Sequence, residues 1–222
     1  MGYEFDFSVV WASWRLLLDG TLSTLYLTGV SAVLSLLLGV VLMLMRRQKK
    51  GVARAVAKVF IEVVRNTPFL VQLLFVYFGL PALGVKFSVE GAAILALTIN
   101  TGAYIAETLR AGVAALPKGQ VEAGRALGMS AIHVFFDVVL KPSLRMVYPA
   151  LSSQFVLMML TTSVVVSISQ AELTYTAQMI ESSSFRSFEV YLVVTGIYLA
   201  LSLVISLLLK TFGRFYFSYP VR

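Results

Sequence analysis

The chain has no cysteine and a single histidine, His133, among its 222 residues. It therefore cannot build a disulfide framework or a thiolate metal site, and one imidazole without nearby carboxylates does not make a metal site. Charged residues make up only 13% of the sequence, whereas a soluble globular domain carries about 25%. This shortage leaves too few charged side chains to cover a water-soluble enzyme or binding domain of this size.

Hydrophobic residues make up 59% of the chain, and several windows of about 20 residues carry almost no charge. A helix needs about 20 apolar residues to cross a hydrocarbon core of ~30 Å. The sequence therefore predicts an all-α polytopic membrane protein with a single transmembrane domain over residues 1–222. Five membrane-spanning helices are predicted at about 22–45, 59–80, 89–109, 147–168 and 190–212.

The N-terminal segment, about residues 1–20, begins with acidic residues and lacks a basic region, so no cleaved signal peptide is predicted. Aromatic and apolar residues alternate in residues 7–18, which include Trp11 and Trp14. Tryptophan favours the headgroup region of a bilayer, so this stretch predicts an interfacial helix on the membrane surface.

The 18 Lys and Arg residues are distributed unevenly, and most lie in segments 46–58, 110–145 and 210–222. These segments follow the first, third and fifth predicted spans and therefore lie on one side of the membrane. Because basic loops stay in the cytoplasm, we expect the N-terminus outside and the C-terminus in the cytoplasm. The net charge of +7 is then a topology signal and does not require nucleic acid as a partner.

The longest segment on the predicted cytoplasmic side covers residues 116–144. Its sequence predicts a short helix at Val121–Leu127, ended by Gly128 in the left-handed conformation. Ser130 is placed to cap a second short helix, Ala131–Leu140, which is expected to stop at the Lys-Pro pair that follows. From shape alone, this helical hairpin either packs against the protein's own helix ends or presents its apolar side to a partner.

The residues of this hairpin resemble the cytoplasmic loop of bacterial ABC-importer permeases, which begins Glu-Ala-Ala, has a glycine at the same spacing and ends near Leu-Pro. Here Gly124 replaces an alanine, and Lys141 occupies the usual proline position, with Pro142 one residue later. In that family the loop forms coupling helices that sit in a groove of the ATPase subunit. The resemblance assigns ATPase coupling to Glu122, Ala123, Gly124, Arg125, Gly128, Met129 and Ser130.

Three further stretches, Val64–Pro81, Asn100–Val113 and Gln154–Thr174, resemble the polar amino-acid subfamily, the histidine and glutamine permease type. The resemblance covers about residues 20–212. It implies a type I ABC importer fold in the bacterial inner membrane and the ATP-driven uptake of polar amino acids. It also implies three kinds of partner: a second permease subunit, two cytoplasmic ATPase subunits that carry ATP and Mg²⁺, and an extracytoplasmic amino-acid-binding protein. The chain itself would hold no cofactor.

Two predicted spans carry polar residues at membrane depth, where polar groups are costly and often functional. They either line the amino-acid path or make ordinary interhelical hydrogen bonds. Many relatives carry a Lys-Asp or Lys-Asn pair where this chain has Leu160-Thr161. A carboxylate there could hold a cationic substrate, whereas Thr161 offers only a neutral hydrogen bond. The predicted pathway residues are Asn100, Thr101, Tyr104 and Glu107 in span three, and Gln154, Thr161, Thr162 and Ser163 in span four.

The first half of span two is also polar. Glu62 and Arg65 are three residues apart, so they share a helix face and are predicted to neutralise each other. Pro68 is expected to kink the helix and free a carbonyl that Asn66 or Thr67 satisfies. Gln72 is predicted to bond a neighbouring helix.

Two functions other than an ABC permease are possible alternatives for this sequence. An ion-coupled secondary carrier would use Glu62 or Glu107 as a proton site, but the chain has no internal repeat of the kind common in such carriers. A membrane enzyme is disfavoured because no nucleophile–base pair, metal-ligand cluster or G-x-x-x-x-G-K phosphate loop is present. ATP would therefore be hydrolysed by another chain. The sequence leaves open which amino acid is carried, whether the permease pairs with itself, and whether it has its own substrate site.

Overall fold

A computed structural model describes residues 4–48 and 50–217, and these residues form helices without any strand. Lys49, Arg222 and the first three residues of the N-terminal segment lie outside the described residues. The α-helices are α1 (Ser8–Ala12), α2 (Trp14–Arg47), α3 (Val52–Arg65), α4 (Phe69–Leu74), α5 (Val89–Ala114), α6 (Lys118–Ala126), α7 (Ala131–His133), α8 (Lys141–Thr161), α9 (Leu173–Ser184) and α10 (Ser187–Tyr216).

Within the described ranges, four helical stretches are long and apolar enough to cross a bilayer, namely Trp14–Arg47, Val89–Ala114, Ala131–Ile168 and Ser187–Tyr216. A fifth crossing is formed if the bent pair of Val52–Arg65 and Phe69–Leu83 counts as one span. The all-helical membrane fold predicted from composition is confirmed.

The predicted interfacial helix divides at Ser13 into α1 and the first turns of α2. At 1.5 Å per residue, the 34 residues of α2 are about 51 Å long, more than the ~30 Å of a hydrocarbon core. The helix therefore begins well before the predicted start of span one and extends beyond the apolar layer. Trp11 and Trp14 are both more than half exposed there.

Small side chains bring α2 and α5 close together. The buried face of α2 carries Thr24, Thr28, Ser31, Ser35 and Gly39 at intervals of three or four residues. A Cβ on Gly39 would lie 2.5 Å from a methyl of Ile105, and a Cβ on Gly102 would lie 2.9 Å from Leu38. Gly102 therefore permits close helix contact, and the contact is with α2.

The predicted continuous span over residues 59–80 is corrected to two helices that meet at an angle of 113°. Pro68 lacks an N–H and disfavours helical backbone at the residue before it, so α3 ends at Arg65. The carbonyls freed at the break find new donors. The Asn66 amide donates to the Glu62 carbonyl at 2.7 Å, and the Thr67 hydroxyl donates to the Val63 carbonyl at 2.9 Å. The predicted role of these two residues is confirmed, although the bend exceeds a kink.

The helix predicted to stop at Lys141-Pro142 instead continues without a break from Ala131 to Ile168. A π-helical segment, Val134–Leu140, lies directly before the Lys-Pro pair. Its wider turns make room for the proline ring, which would otherwise clash in a regular α-helix. The Ser143 hydroxyl donates to the Val139 carbonyl at 2.6 Å. The second half of the loop is therefore one rigid body with the following span, which ends in a 3₁₀ segment, Thr162–Ile168.

Helix α9 was not predicted, and it lies between the fourth and fifth predicted spans. Leu173, Ala177 and Ile180 of this helix are buried against Leu17 of α2 and Val190 of α10. By contrast, only 6% of the most apolar window of α10 is buried within the chain. Its large apolar side chains therefore face lipid or another subunit.

Candidate functional site

The cytoplasmic hairpin is shaped by a turn at Gly128, which has φ +75°. The Met129 N–H donates to the Gly124 carbonyl at 3.1 Å, and the Gly128 N–H donates to the Arg125 carbonyl at 3.0 Å. This pair of bonds is a Schellman motif, which ends a helix and reverses the chain. The Ser130 hydroxyl then accepts from the His133 N–H at 3.4 Å and caps the next helix. Both local predictions are confirmed.

The two arms of the hairpin pack through Gly124, the buried glycine of α6. A Cβ at this position would lie 3.4 Å from a methyl of Val134 and 3.5 Å from a methyl of Val138. These are ordinary van der Waals separations, so the hairpin would accept the alanine that the family resemblance expects. The glycine is therefore not required by close approach of the arms.

The outer surface of the hairpin is apolar to an unusual degree. Leu127 is 81% exposed, Ile132 69% and Phe136 52%. Glu122, Ala123, Arg125, Gly128 and Ser130 are also exposed, and Met129 is half-buried. Exposed apolar side chains clustered in this way mark an interaction surface.

The hairpin contacts the end of α2 and continues directly into α8. The Arg47 guanidinium, at the end of α2, lies 5.4 Å from the centre of the Phe135 ring. Lys141 pairs with Asp137 at 2.5 Å, and a Cβ on Gly112 of α5 would lie 2.3 Å from Val147 of α8. A force applied to the hairpin is therefore transmitted into α8 without an intervening flexible loop.

Two of the predicted pathway residues of α5, Asn100 and Tyr104, bond to residues on either side of the break between α3 and α4. The Asn100 amide donates to the Gln72 side-chain carbonyl at 3.0 Å, which confirms that Gln72 bonds a neighbouring helix. The Tyr104 hydroxyl donates to the Arg65 carbonyl at 3.4 Å, and the Arg65 guanidinium lies 5.2 Å from the centre of its ring. Thr101 is buried on the same helix.

Glu107 joins the ends of α2 and α5. Its carboxylate accepts from Arg46 at 3.2 Å and from the Arg110 Nε at 3.0 Å. Glu62 does not pair with Arg65 as predicted but lies 3.8 Å from Lys58. Helix α3 ends at Arg65 in the sharp bend, and this guanidinium turns to the Tyr104 ring of α5 instead.

The hydroxyls predicted to line the path in span four bond to carbonyls of their own helix. Thr161 donates to Leu157 at 2.8 Å, Thr162 to Met159 at 2.7 Å and Ser163 to Leu160 at 2.7 Å. Thr162 is fully buried, whereas Thr161, Ser163 and Gln154 are partly exposed. Apolar side chains make the contact between α5 and α8. No hydrogen bond among the described residues joins the two predicted sets.

A buried polar cluster around Glu172 was missed from the sequence. Its carboxylate is fully buried, caps α9 by accepting from the Tyr175 N–H at 2.8 Å, and accepts from the Tyr198 hydroxyl at 2.7 Å. Thr24 of α2 also donates to it at 3.4 Å. Burial raises the pKa of Glu172, and these hydrogen bonds oppose that rise. An acidic residue before Leu-Thr-Tyr is a recognisable N-cap signal, but nothing local indicates the partners on α2 and α10.

Within residues 4–48 and 50–217, no group of three or more His, Asp or Glu side chains is arranged to hold a metal ion. The described site is a helical hairpin with an exposed apolar surface, continuous with a membrane-spanning helix.

Residues 11–217 match the family model described as "Binding-protein-dependent transport system inner membrane component". The chain belongs to this family. This inner membrane component is 37% identical over 213 residues to the glutamine transport system permease protein GlnP of Escherichia coli (strain K12), with 95% of this chain and 97% of that protein covered.

It is also 36% identical over 192 residues to the probable glutamine ABC transporter permease protein GlnP of Bacillus subtilis (strain 168), covering 85% and 88% of the two chains. A crystal structure of an amino acid ABC transporter with histidines matches with a TM-score of 0.88 at 36% identity, covering 96% of this chain and 99% of that one. The predicted family is confirmed. The inner membrane component is a permease subunit of an ABC importer, lacks an ATPase site of its own, and has the type I importer fold; the ion-coupled carrier is not supported.

Proposed function

We propose that this permease subunit takes up a polar, uncharged amino acid that an extracytoplasmic binding protein delivers. The likeness to glutamine permeases over nearly the whole chain carries this proposal. Thr161 adds to it, because a hydroxyl at this position offers a neutral hydrogen bond where a carboxylate would favour a cationic substrate. The polar groups of α5 and α8, from Asn100 to Glu107 and from Gln154 to Ser163, are the proposed lining of the path.

The proposed assembly contains two permease subunits, identical or related, and two cytoplasmic ATPase subunits that bind ATP and Mg²⁺. Five spans are few for a self-sufficient pathway, and α10 leaves most of its apolar surface uncovered within the chain. Both observations favour a second permease subunit in the membrane.

The ATPase docks, in this proposal, on the hairpin surface around Glu122 to Ser130. The exposed Leu127, Ile132 and Phe136 supply the apolar contact, and Glu122 and Arg125 supply charges at its edge. Closure of the two ATPase subunits then moves the hairpin, and the unbroken helix from Ala131 carries that motion into the path.

The proposed orientation has the N-terminus outside and the C-terminus in the cytoplasm. It places Arg46, Arg47, Arg110 and Arg145 on the cytoplasmic side, together with the docking hairpin. It places α9 and the N-terminal segment on the outer side, where the binding protein delivers the substrate.

Purification in a mild detergent, followed by mass-spectrometric identification of the chains that elute with the permease, tests the assembly. We expect an ATPase subunit, with or without a second permease chain. Uptake of radiolabelled glutamine into vesicles containing the complex and the binding protein tests the function. Uptake should require ATP on the side of the membrane that carries the ATPase subunits. It should persist when ion gradients are collapsed. Uptake driven by an ion gradient without ATP would refute the proposal.

A further inference from the structure

A groove with a volume of about 630 Å³ lies between α8 and α10, and none of the predicted pathway or coupling residues is among the described residues that line it. Tyr148 of α8 forms its base. The Tyr148 hydroxyl donates to the Leu209 carbonyl of α10 at 2.7 Å, and its ring lies directly against Gly213, where a Cβ would be 2.3 Å from Cε1. The two helices are therefore held at a fixed separation, and the groove between them is preformed.

The groove is strongly basic at one end. Arg145 of α8 and Lys210 and Arg214 of α10 line it, and no Asp or Glu is among the described residues that line it. All three cations lie at the ends of the helices nearest the docking hairpin, which is the expected depth of lipid headgroups. This end of the groove suits a phosphate group.

The remaining length of the groove is mainly apolar. Pro149, Val156 and Leu157 of α8 line it, together with Ser152, whose hydroxyl is buried and has no hydrogen-bond partner among the described residues. From Arg145 to Leu157 the helix rises about 18 Å. One leaflet of the hydrocarbon core is about 15 Å deep, so the groove matches the reach of a single acyl chain from the headgroup layer.

We infer that this groove binds one anionic phospholipid, with its phosphate at Arg145, Lys210 and Arg214 and one acyl chain along Val156 and Leu157. A second copy of the permease fits the groove less well. A two-fold axis along the membrane normal would bring the cationic ends of the two copies together, because both copies would present the groove at the same depth in the membrane. The proposed orientation of the chain assigns this lipid to the cytoplasmic leaflet. Binding of the lipid in the groove does not otherwise depend on that orientation.

Native mass spectrometry of the full-length permease in detergent, titrated with dioleoyl phosphatidylglycerol, tests the site. We expect one tightly retained lipid and much weaker retention of the phosphatidylcholine with the same acyl chains. A triple variant, Arg145→Gln, Lys210→Gln and Arg214→Gln, should bind about a hundredfold more weakly, at about fivefold for each cation lost. The matched control, Lys50→Gln, Arg54→Gln and Lys58→Gln, removes the same charge from the same side and should bind like the wild type.

Val156→Trp tests the acyl-chain contact without changing any charge. We expect about tenfold weaker binding, which corresponds to roughly two methylene groups left unburied. Inorganic phosphate should bind far more weakly than the lipid, because it offers nothing to the apolar wall.

Equal retention of the two lipids, unchanged binding by the groove triple variant, or phosphate binding as tight as lipid binding would each overturn the inference. A shift of the triple variant from dimer to monomer would also overturn it, since the groove would then be a protein interface. Lipid binding is measured independently of uptake, so a permease that retains the lipid but fails in ATP-driven uptake would refute the proposed function and leave the lipid site standing.

Discussion

Gly128 offers a direct test of the docking role, because its replacement changes the hairpin surface with little effect on the fold. Its backbone is left-handed, with φ +75°, and a Cβ there would meet nothing within 4 Å. The cost of Gly128→Arg to folding is therefore limited to the backbone conformation, roughly 1–2 kcal/mol. Folded proteins have about 5–15 kcal/mol of stability, so the variant should still fold and insert.

Gly84 provides a matched control. It too is left-handed, with φ +85° and open space around the missing Cβ, but the proposed topology places it on the opposite side of the membrane. Gly84→Arg should lower thermal stability as much as Gly128→Arg does. Both variants carry the same free-energy cost for an arginine in the left-handed conformation. Any difference in transport between them therefore arises from the location of the substitution.

The expected difference lies in coupling. If a guanidinium forced into the ATPase interface costs about 2 kcal/mol, docking weakens about thirtyfold. In proteoliposomes that hold the purified complex, Gly128→Arg should therefore lose uptake while the ATPase subunits still hydrolyse ATP. Gly84→Arg should transport normally, as should Gly128→Asn, since asparagine tolerates the left-handed conformation. Full uptake by Gly128→Arg, or equal loss in Gly84→Arg, would refute the reasoning.

Three further predictions concern stability, each measured as the thermal unfolding midpoint of the purified permease. Gly124→Ala should raise the midpoint, because the added methyl fits and the helix propensity improves by up to about 1 kcal/mol. Gly112→Ala should lower the midpoint, because a Cβ there would overlap Val147 of α8. The midpoint of Glu172→Gln should rise relative to that of the wild type as the pH increases from about 5 to about 8. A carboxyl whose pKa is raised in the folded state makes folding less favourable as it ionises, and glutamine does not ionise. Parallel pH profiles of the two midpoints would contradict this. Gln72→Leu should cost about 0.5–1.5 kcal/mol because it removes the hydrogen bonds that the Gln72 side chain makes with the Val64 carbonyl and the half-buried Asn100 amide, whereas the exposed Gln178→Leu should change little.

Local features of the fold were predictable because they depend on a few neighbouring residues. The left-handed turn at Gly128 and the cap at Ser130 follow from backbone sterics and side-chain reach within one turn. The bend near Pro68 follows from a missing N–H, and its carbonyls were expected to bond the adjacent Asn66 and Thr67. The size of that bend did not follow, because the angle of 113° depends on how α4 packs against α5.

The site was predictable only in part. The seven coupling residues of the hairpin fall on one short motif, so their proximity was assured by the chain itself. The pathway residues lie on two helices. Asn100 and Tyr104 of α5 bond to the α3–α4 break, whereas the three hydroxyls of α8 bond their own backbone. Their shared role in a path stays a prediction.

Three features were determined by the sequence alone: the chain is a membrane protein, it belongs to this permease family, and a left-handed turn shapes its docking hairpin. These depend on hydrophobicity, motif and short-range sterics. Only the tertiary structure decided that Glu172 meets Thr24 from 148 residues away, that Glu107 meets Arg46 from 61 residues away, and that one helix runs unbroken from the hairpin to Ile168. Such features depend on which helix faces are buried against each other, and no local pattern specifies that choice.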